Sequence, residues 1–415
     1  MSKHLLILTL SATALVAGCA AKPSEPIPPP GPLQTKSFAR QWATSLQSGA
    51  ENPVTAVHVS DQFVFAYRQD GSANVMDRAT GRLLHIDYPR GGTTRIHPPV
   101  ILGKDRIVYP TTTFLEVFDF DGHYIPHATK PSDEIDKPFS QEFRYAIRSD
   151  VVGVGKLVFF GADFPGSGRV VEVDMTRPYV PDIWTLVEPG AGVSAAPALS
   201  KDVVYVASED GNVAAVSIES RAPLWSLPNG VFGTHGGVEG NLTQDETGLY
   251  VASTDTKLYY LAKASGKIKW QYFASVPLRE GPVVTKDMVY QIVPGVGLAA
   301  IDKTPSAEEL ASSYDRKPAW IDYSAVQFLS EDGKYIYVRS NDNHIVALDK
   351  KTGQVRFASR RNDLAVFATN AKGDGVIYAS TPGSRIMAIR PILEPGEVGE
   401  LVMAPATPES LASAR

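Results

Sequence analysis

The feature that most constrains this chain is a β-rich unit that recurs along most of its length. The clearest copy, from Asp202 to Leu227, contains two alternating apolar runs joined by Asp210-Gly211, then a short strand through Trp225. An Asp-Gly pair between alternating apolar runs is a strong hairpin signal. Three strands of this size cannot enclose a core alone, so the unit must pack against copies of itself.

The other copies fix the predicted fold. Clear ones lie at 248–272, 334–359 and 62–86, and weaker ones at 106–119, 156–174, 287–302 and 374–390. A repeat of roughly 40 residues made of short strands predicts an all-β propeller, because helical solenoids would show a 3.6-residue apolar period. Fourth strands are predicted near Trp42, His85, Tyr124, Trp184, Trp225, Trp270, Trp320 and Phe357. This count gives eight blades, with seven as the runner-up because two copies are weak.

The two ends of the repeat region complement each other. Residues 38–46 look like a fourth strand without its first three, and residues 364–390 look like three strands without a fourth. We therefore expect the N-terminal strand to complete the C-terminal blade, which closes the ring and removes an open edge. Four tryptophans that recur in the fourth strands are interpreted as wedges between neighbouring blades: Trp184, Trp225, Trp270 and Trp320.

Four segments are predicted along the chain. Residues 1–18 have the basic start and short apolar run of a signal peptide, and the sequence Val-Ala-Gly-Cys that ends at Cys19 resembles a bacterial lipobox. A plain signal peptide with a chance cysteine is the alternative. Residues 19–36 are then the lipidated cysteine and a proline-rich tether, 37–392 the propeller, and 393–415 a loose tail. Acylation of Cys19 would make membrane lipid one of its partners.

Composition and motifs argue against several functional classes. The net charge is −5 with no block of like charges, so we expect no nucleic-acid partner. Cys19 is the sole cysteine, which leaves the mature body without a disulfide, thiolate metal site or cysteine nucleophile. The Asp-Gly turns lack a calcium-loop series, and His123 and His127 lie in a loop without a third ligand nearby. The prediction is therefore no catalytic residues, no metal and no cofactor.

The best copy of the repeat also carries a family resemblance. Residues 345–353, IVALDKKTG, are followed by Phe357, and this pattern resembles the pyrroloquinoline-quinone-type propeller repeat. With the lipobox-like cysteine, the tether and eight blades, the chain resembles the BamB family of outer-membrane assembly lipoproteins. The resemblance implies a non-enzymatic scaffold at the periplasmic side of the outer membrane, with Ala20 after the cysteine favouring that membrane. The implied partner is a component of β-barrel protein assembly.

A docking face is predicted from the connections that lead into first strands. Four of them, at 186–192, 228–239, 272–280 and 322–324, should emerge on one face near the central channel. Aromatic and arginine anchors inside a polar rim are typical of interface hot spots. The candidate partner-binding residues are Leu186, Glu188, Phe232, Glu239, Arg279 and Glu280, accompanied by Val187, Phe273 and Tyr323. The long segments 123–145 and 303–318 are the next candidates.

Two other functional classes stay open at this point. Quinone-dependent dehydrogenases share the repeat, but they need a calcium-ligated cofactor and a carboxylate base. A sensor domain would bind a cell-envelope glycan or peptide in the central funnel, with Phe232, His235 and Asn241 as stacking and hydrogen-bonding groups.

Overall fold

The architecture is an eight-bladed β-propeller, as the repeat predicts. The computed structural model describes residues 38–47, 51–89, 97–125, 141–164, 167–176, 182–184, 191–227, 234–304 and 314–392. Within those ranges the regular elements form eight small β-sheets, and none is an α-helix. No helix there has the length and apolar character needed to cross a bilayer.

The strands follow one another in blade order. The first, β1 (Phe38–Ser45), belongs to the last blade. Blade 1 contains β2 (Val54–Val59), β3 (Phe63–Arg68), β4 (Ala73–Asp77) and β5 (Leu83–Asp87). Blade 2 contains β6 (Val100–Leu102), β7 (Arg106–Pro110), β8 (Phe114–Asp119), β9 (Tyr124–Ile125) and β10 (Gln141–Glu142). Blade 3 contains β11 (Val152–Val154), β12 (Leu157–Phe164), β13 (Ser167–Asp174) and β14 (Asp182–Trp184). Blade 4 contains β15 (Ala198–Leu199), β16 (Val203–Ala207), β17 (Val213–Ser217) and β18 (Pro223–Leu227).

The second half repeats this plan. Blade 5 contains β19 (Thr243–Gln244), β20 (Leu249–Ala252), β21 (Lys257–Leu261) and β22 (Ile268–Phe273). Blade 6 contains β23 (Val283–Val284), β24 (Met288–Val293) and β25 (Gly297–Asp302). Next come β26 (Asp315–Arg316), which joins blade 5, and β27 (Trp320–Asp322), which completes blade 6. Blade 7 contains β28 (Ala325–Glu331), β29 (Tyr335–Ser340), β30 (His344–Asp349) and β31 (Val355–Arg360). Blade 8 contains β32 (Val366–Phe367), β33 (Ile377–Ser380), β34 (Arg385–Pro391) and β1.

The strand directions define two faces of the ring. Successive strands within a blade pair antiparallel, so the chain reverses direction at each turn. The turns between first and second strands, and between third and fourth, therefore lie together on what we call the bottom face. The connections between blades, and the turns between second and third strands, lie on the top face. First strands of neighbouring blades contact one another, for example β11 with β15 and β15 with β19, so they surround the central channel.

The hydrophobic core is divided among the seams between blades. Eight clusters of buried apolar side chains occur in the described residues, and each joins two neighbouring blades. Between blades 1 and 2, for example, Tyr109 packs edge-on against Phe65 and Phe118, with ring centroids 6.3 and 5.5 Å apart. Because no blade has a core of its own, stability depends on the closure of the ring.

Closure uses the two ends of the propeller, which confirms the sequence prediction. Strand β1 pairs antiparallel with β34, from Phe38 opposite Pro391 to Ser45 opposite Arg385, and one bulge separates Arg40 from Trp42. The N-terminal strand thereby supplies the outer edge of blade 8. Its start and the end of β34 both lie on the bottom face.

The tryptophan wedges have a specific geometry. The indole N–H of each of three tryptophans donates a hydrogen bond to a backbone carbonyl of the next blade. The pairs are Trp42 with Arg78 (2.9 Å), Trp225 with Lys263 (2.8 Å) and Trp320 with Lys350 (3.0 Å). This arrangement confirms the interpretation as inter-blade packing for Trp225 and Trp320, and the structure adds Trp42 to the same group. The Trp184 side chain lies outside the described part of the chain.

The glycine of the repeat motif explains how those rings fit. Gly81, Gly266 and Gly353 have φ angles of 72°, 68° and 68°, the left-handed region that favours glycine. A Cβ added to Gly353 would lie 2.6 Å from the Trp320 ring, and one on Gly81 would lie 2.4 Å from the Trp42 ring. The turn glycine of one blade therefore packs on the tryptophan of the blade before it.

The described ends of the two long segments form short strands at the outer side of blades 2 and 5. Strands β9 and β10 pair with different parts of β8, so residues 126–140 interrupt the outer strand of blade 2. Strand β26, near the end of the second segment, pairs parallel with β22 at the outer edge of blade 5, and β27 then completes blade 6. Residues 126–140 and 305–313 lie outside the described ranges.

Candidate partner-docking face

The top face brings together the predicted acidic and basic residues. Glu239 lies in the connection that leads into blade 5, and Arg279 and Glu280 lie in the connection that leads into blade 6. The Arg279 guanidinium donates hydrogen bonds from Nη1 to both carboxylate oxygens of Glu239. Their side chains remain 61% and 34% exposed. Three of the six candidates are therefore close neighbours at the mouth of the channel.

The other three candidates cannot be placed. Leu186, Glu188 and Phe232 lie outside the described residues, as does Val187. Of the accompanying residues, Phe273 ends the outer strand of blade 5 and is 58% exposed, and Tyr323 is half-buried.

Glycines hold these connections close together. A Cβ on Gly240 would lie 2.5 Å from the backbone nitrogen of Gly281, and a Cβ on Gly281 would lie 2.1 Å from the carbonyl oxygen of Asn241. The two connections therefore touch through their backbones, at positions where any side chain would clash. The result is a floor made of backbone beneath Glu239 and Arg279.

A hydrogen-bond chain that the sequence did not predict borders this floor. Asp150 accepts a hydrogen bond from Asn241 Nδ2 at 2.8 Å, and its other oxygen lies 2.9 Å from His97 Nδ1. Asn241 Oδ1 accepts from the backbone N–H of Ala196 at 3.0 Å. The chain links the connections into blades 2, 3, 4 and 5. Its one sequence signal is position, since Asp150 lies just before the first strand β11, as Glu239 and Glu280 lie just before β19 and β23.

The same chain bears on the predicted glycan site. Both ends of the Asn241 amide already make hydrogen bonds within the protein, so this side chain is not poised for a sugar. The backbone N–H of His235 donates to Asp255 at 2.8 Å, and its ring is exposed. Phe232 lies outside the described residues.

A cavity of about 470 Å³ opens at this place. Its lining includes Gly240 and Gly281 of the backbone floor together with the residues Asp150, Ser194, Glu239, Asn241, Arg279 and Glu280. We call it the mouth cavity. On β2, burial lowers the pKa of His58 to about 4 although the Asp150 carboxylate acts in the opposite direction. His58 is therefore neutral at pH 7 and adds no positive charge near the mouth.

The described residues hold one group with metal-like spacing, and it lies elsewhere. Asp119, Asp121 and His123 meet in a bottom-face turn of blade 2. Asp119 already accepts hydrogen bonds there from the backbone N–H groups of Asp121 at 3.0 Å and His123 at 2.7 Å, and lies 3.0 Å from the His123 ring. Turn formation accounts for this cluster.

Comparison with known families now identifies the chain at family level. A model of the family described as "Outer membrane protein assembly factor BamB" matches residues 34–227 and 210–309, which together span 34–309 of the 415 residues. The chain belongs to the BamB family. No curated protein matches it in sequence.

Solved structures agree on the fold. The crystal structure of BamB from Moraxella catarrhalis is 16% identical with a TM-score of 0.61, and the match covers 85% of this chain and 97% of that one. The computationally designed Ika8 protein is 14% identical at 0.60, covering 84% and 98%. The C-terminal WD40 domain of Sif2 is 12% identical at 0.59, covering 87% and 99%. At these identities the neighbours show the fold alone, whereas membership in the BamB family rests on the sequence model.

Proposed function

We propose that this protein is a non-enzymatic lipoprotein scaffold whose top face docks a protein component of outer-membrane β-barrel assembly. The observation that carries the proposal is the convergence of Glu239, Arg279 and Glu280 on one exposed patch of the top face in a BamB-family propeller. The family supports an interaction scaffold. The outer-membrane role and the choice of face are what we add.

The composition of the patch supports protein docking. Arg279 is held by Glu239 and yet remains largely exposed, so a partner acid or carbonyl can share its donors. Charged groups at such a rim steer association and fix register, and Phe273 at the end of β22 is an exposed aromatic of the same face. The backbone floor keeps the charged groups in place before binding, which reduces the entropy cost of association.

The proposed anchor is the lipidated Cys19. It is the chain's sole cysteine and follows Val16-Ala17-Gly18, and the proline-rich tether after it leads to β1. If the lipid anchors the protein, the tether joins the ring on the bottom face, opposite the proposed docking face. Replacing Cys19 with serine should release the protein to the soluble periplasmic fraction, and retention in the membrane would contradict the anchor.

The docking face is tested by capture from detergent-solubilised outer membranes. Glu239→Arg, Arg279→Glu and Phe232→Ala should each lose the partner that the wild-type protein retains. The matched control is Lys156→Glu, which breaks the exposed bottom-face pair between Lys156 and Asp174 (2.8 Å). It should retain the partner.

A further double variant separates docking from folding. Exchanging the charges, Glu239→Arg with Arg279→Glu, keeps an ion pair within the protein but reverses the surface that a partner meets. We expect wild-type stability with loss of capture. If all top-face variants retain every partner, the docking face lies elsewhere, and segments 123–145 and 303–318 become the candidates.

The non-enzymatic part of the proposal has its own test. Reconstitution with pyrroloquinoline quinone and calcium should give no dye-linked turnover of alcohols or sugars. Robust turnover would replace the scaffold with a dehydrogenase.

A further inference from the structure

The backbone carbonyls that accept the three tryptophan N–H bonds belong to cations at equivalent positions of their blades, Arg78, Lys263 and Lys350. Two of the three side chains pair with a carboxylate. Arg78 pairs with Asp374 of the preceding blade, and the Nζ of Lys350 lies 3.0 Å from Glu331 Oε1. The repeat therefore places a cation at this position and normally neutralises it within the protein.

Lys263 is bonded to neutral oxygens instead. Its Nζ donates to Gln244 Oε1 at 2.6 Å and to the Asp245 carbonyl at 2.7 Å, and it forms no ion pair within the part of the chain that the structure describes. Gln244 occupies the position of Glu331, since each ends a first strand and directly precedes an aspartate. An amide thus replaces the carboxylate in blade 5, and the half-buried ammonium has no counter-charge there.

A cavity of about 580 Å³ lies beside this ammonium on the bottom face, and we call it the bottom cavity. The turns between first and second strands of blades 3, 4 and 5 line it together with Lys263, and Lys201 adds a second cation. The apolar residues Val154 and Leu199 are also part of the lining. Its volume lies within the roughly 300–1,000 Å³ of small-ligand pockets.

The two acids of the lining do not cancel the two cations. Asp245 pairs with Lys303, so its charge is already balanced. Glu246 is exposed to solvent, where screening weakens its field. Lys201 and Lys263 therefore face one acid that has no cation partner among the described residues, and an anion in the cavity meets a net attractive field.

The donor set suits a phosphate group. A lysine ammonium is a point charge with three N–H donors, and Lys263 uses two of them within the protein. A phosphate has several acceptor oxygens that two separate ammonium groups can reach, whereas a carboxylate is matched best by the planar fork of an arginine. We propose that the bottom cavity binds a phosphate group, with Lys263 as its main cation and Lys201 as the second.

The phosphate has two possible sources. The apolar part of the lining suits a glycerophospholipid, and the proposed tether would join the ring on this same bottom face. A soluble phosphate ester offers the same charged group without the acyl chains. Only the lipid source relates to the proposed anchor, and the site itself is independent of the docking face on the opposite side of the ring.

The test uses the full lipidated chain purified in a phosphate-free detergent. Isothermal titration calorimetry is recorded with glycerol phosphate and with dioctanoylphosphatidylglycerol, and with glycerol and dioctanoylglycerol as their counterparts without phosphate. We expect both phosphates to bind and both counterparts to give no saturable heat, with affinity that falls as salt is raised. Binding of the lipid that is tighter by roughly tenfold or more assigns the site to a lipid headgroup, and comparable affinities assign it to a soluble ester.

Variants locate the phosphate in the bottom cavity. Lys263→Met should weaken binding by about tenfold, the factor of one hydrogen bond to a charged group. Gln244→Glu copies the Glu331 arrangement into blade 5 and should weaken binding by at least as much, because Lys263 then has an internal counter-charge. Gln62→Glu and Lys104→Met make the same charge changes at exposed positions in the turns of blades 1 and 2 and should bind like the wild type.

Two results would overturn the inference. One is the absence of phosphate binding to the wild-type protein. The other is an affinity that stays unchanged in both Lys263→Met and Gln244→Glu, or that falls equally in the control variants, which would assign binding to overall charge. Far-UV circular dichroism checks that each variant is folded. Capture of a partner by the top face does not depend on this cavity, so either proposal can fail while the other stands.

Discussion

Trp270 and Trp320 occupy the same position in the outer strands of neighbouring blades, yet their surroundings differ. Trp270 pairs with Tyr260 of β21, and Trp320 pairs with Ala300 of β25. Trp320 donates its indole N–H to the Lys350 carbonyl and packs on Gly353. Trp270 is completely buried, and its Nε1 has no hydrogen-bond partner among the residues that the structure describes.

The difference comes from the following blade in each case. Blade 7 has a short turn between its third and fourth strands, and that turn supplies both Lys350 and Gly353. In blade 6 the corresponding turn is replaced by the long segment after Asp302. Trp270 is instead surrounded by rings, with centroids 5.1 Å from Tyr260 and 6.0 Å from Tyr250. The repeat therefore determines that the tryptophan is buried, whereas the following blade determines whether its indole N–H has a hydrogen-bond partner.

An ion pair also joins the two blades beside Trp270. Lys303 of blade 6 pairs with Asp245 of blade 5, and its Nζ also donates to the Thr285 carbonyl at 2.8 Å. Both side chains of the pair are largely buried.

Removing either tryptophan ring is expected to have the largest effect on stability. Trp270→Ala and Trp320→Ala should each lower the free energy of unfolding by about 3–5 kcal/mol, because a large buried ring leaves a cavity. Trp270→Ala should cost more, since it also removes two aromatic contacts. Urea unfolding followed by far-UV circular dichroism measures both. A cost below about 1 kcal/mol for either variant would contradict the wedge role.

The glycine contact should be the next largest effect. Gly353→Ala places a Cβ at positive φ and 2.6 Å from the Trp320 ring, and we expect a loss of about 2–4 kcal/mol. Gly333→Ala is the control, because no atom lies within 4 Å of its Cβ position. It should be neutral to within about 0.5 kcal/mol in the same unfolding measurement. Similar costs for the two variants would mean that the turn glycine does not support the wedge.

A matched pair of conservative changes isolates the indole hydrogen bond. Trp320→Phe removes a bond to the Lys350 carbonyl, whereas Trp270→Phe removes an N–H that has no partner in the described structure. Beyond the shared loss of ring area, Trp320→Phe should cost about 1 kcal/mol more. Equal losses in the two variants would show that the seams do not differ in this respect.

The smallest expected effect on stability comes from loss of the ion pair between Lys303 and Asp245, and this effect depends on pH. Burial opposes ionisation of Asp245, but hydrogen bonds from Lys303, Thr247 and Gly248 outweigh it and lower its pKa from 3.8 to about 2. This stabilisation is complete above pH 3.8 and is lost as the pH falls through about 2. Lys303→Met should therefore cost about 1 kcal/mol at pH 7, after allowance for solvent screening, and less near pH 2.

Unfolding curves at several pH values test that dependence. Lys286→Met, at an exposed lysine of the same face, should change stability little at any pH. A cost of Lys303→Met that stays constant down to pH 2 would assign the effect to packing instead of charge.

Much of the fold was predictable from local pattern. The alternation in residues 203–217 predicted a hairpin, and Val203 pairs with Ser217 as that hairpin requires. The unmatched strand near Trp42 predicted closure with the C-terminal blade, because a lone outer strand has one free edge to pair with. These inferences succeed because turn chemistry and the two-residue period act over short stretches of chain.

The candidate site was predictable only in part. The positions of Glu239, Arg279 and Glu280 before first strands placed them on one face, since every blade returns to that face before it begins again. Asp150 and His97 were missed, although they occupy the same kind of connection. Their partners lie 91 and 53 residues away, and no local pattern signals such a distance.

The sequence by itself predicted the propeller with eight blades ahead of seven, the wedge positions of Trp225, Trp270 and Trp320, the closing strand and the face that the connections into first strands occupy. Those features recur in each repeat unit, so the periodicity of the sequence indicates them. Only the tertiary structure decided that Arg279 meets Glu239 and that Asn241 reaches Asp150 across the connection into blade 4. It also decided that the buried Nε1 of Trp270 has no hydrogen-bond partner among the described residues. Such contacts depend on how neighbouring connections approach around the ring, and that geometry is set jointly by residues from several blades.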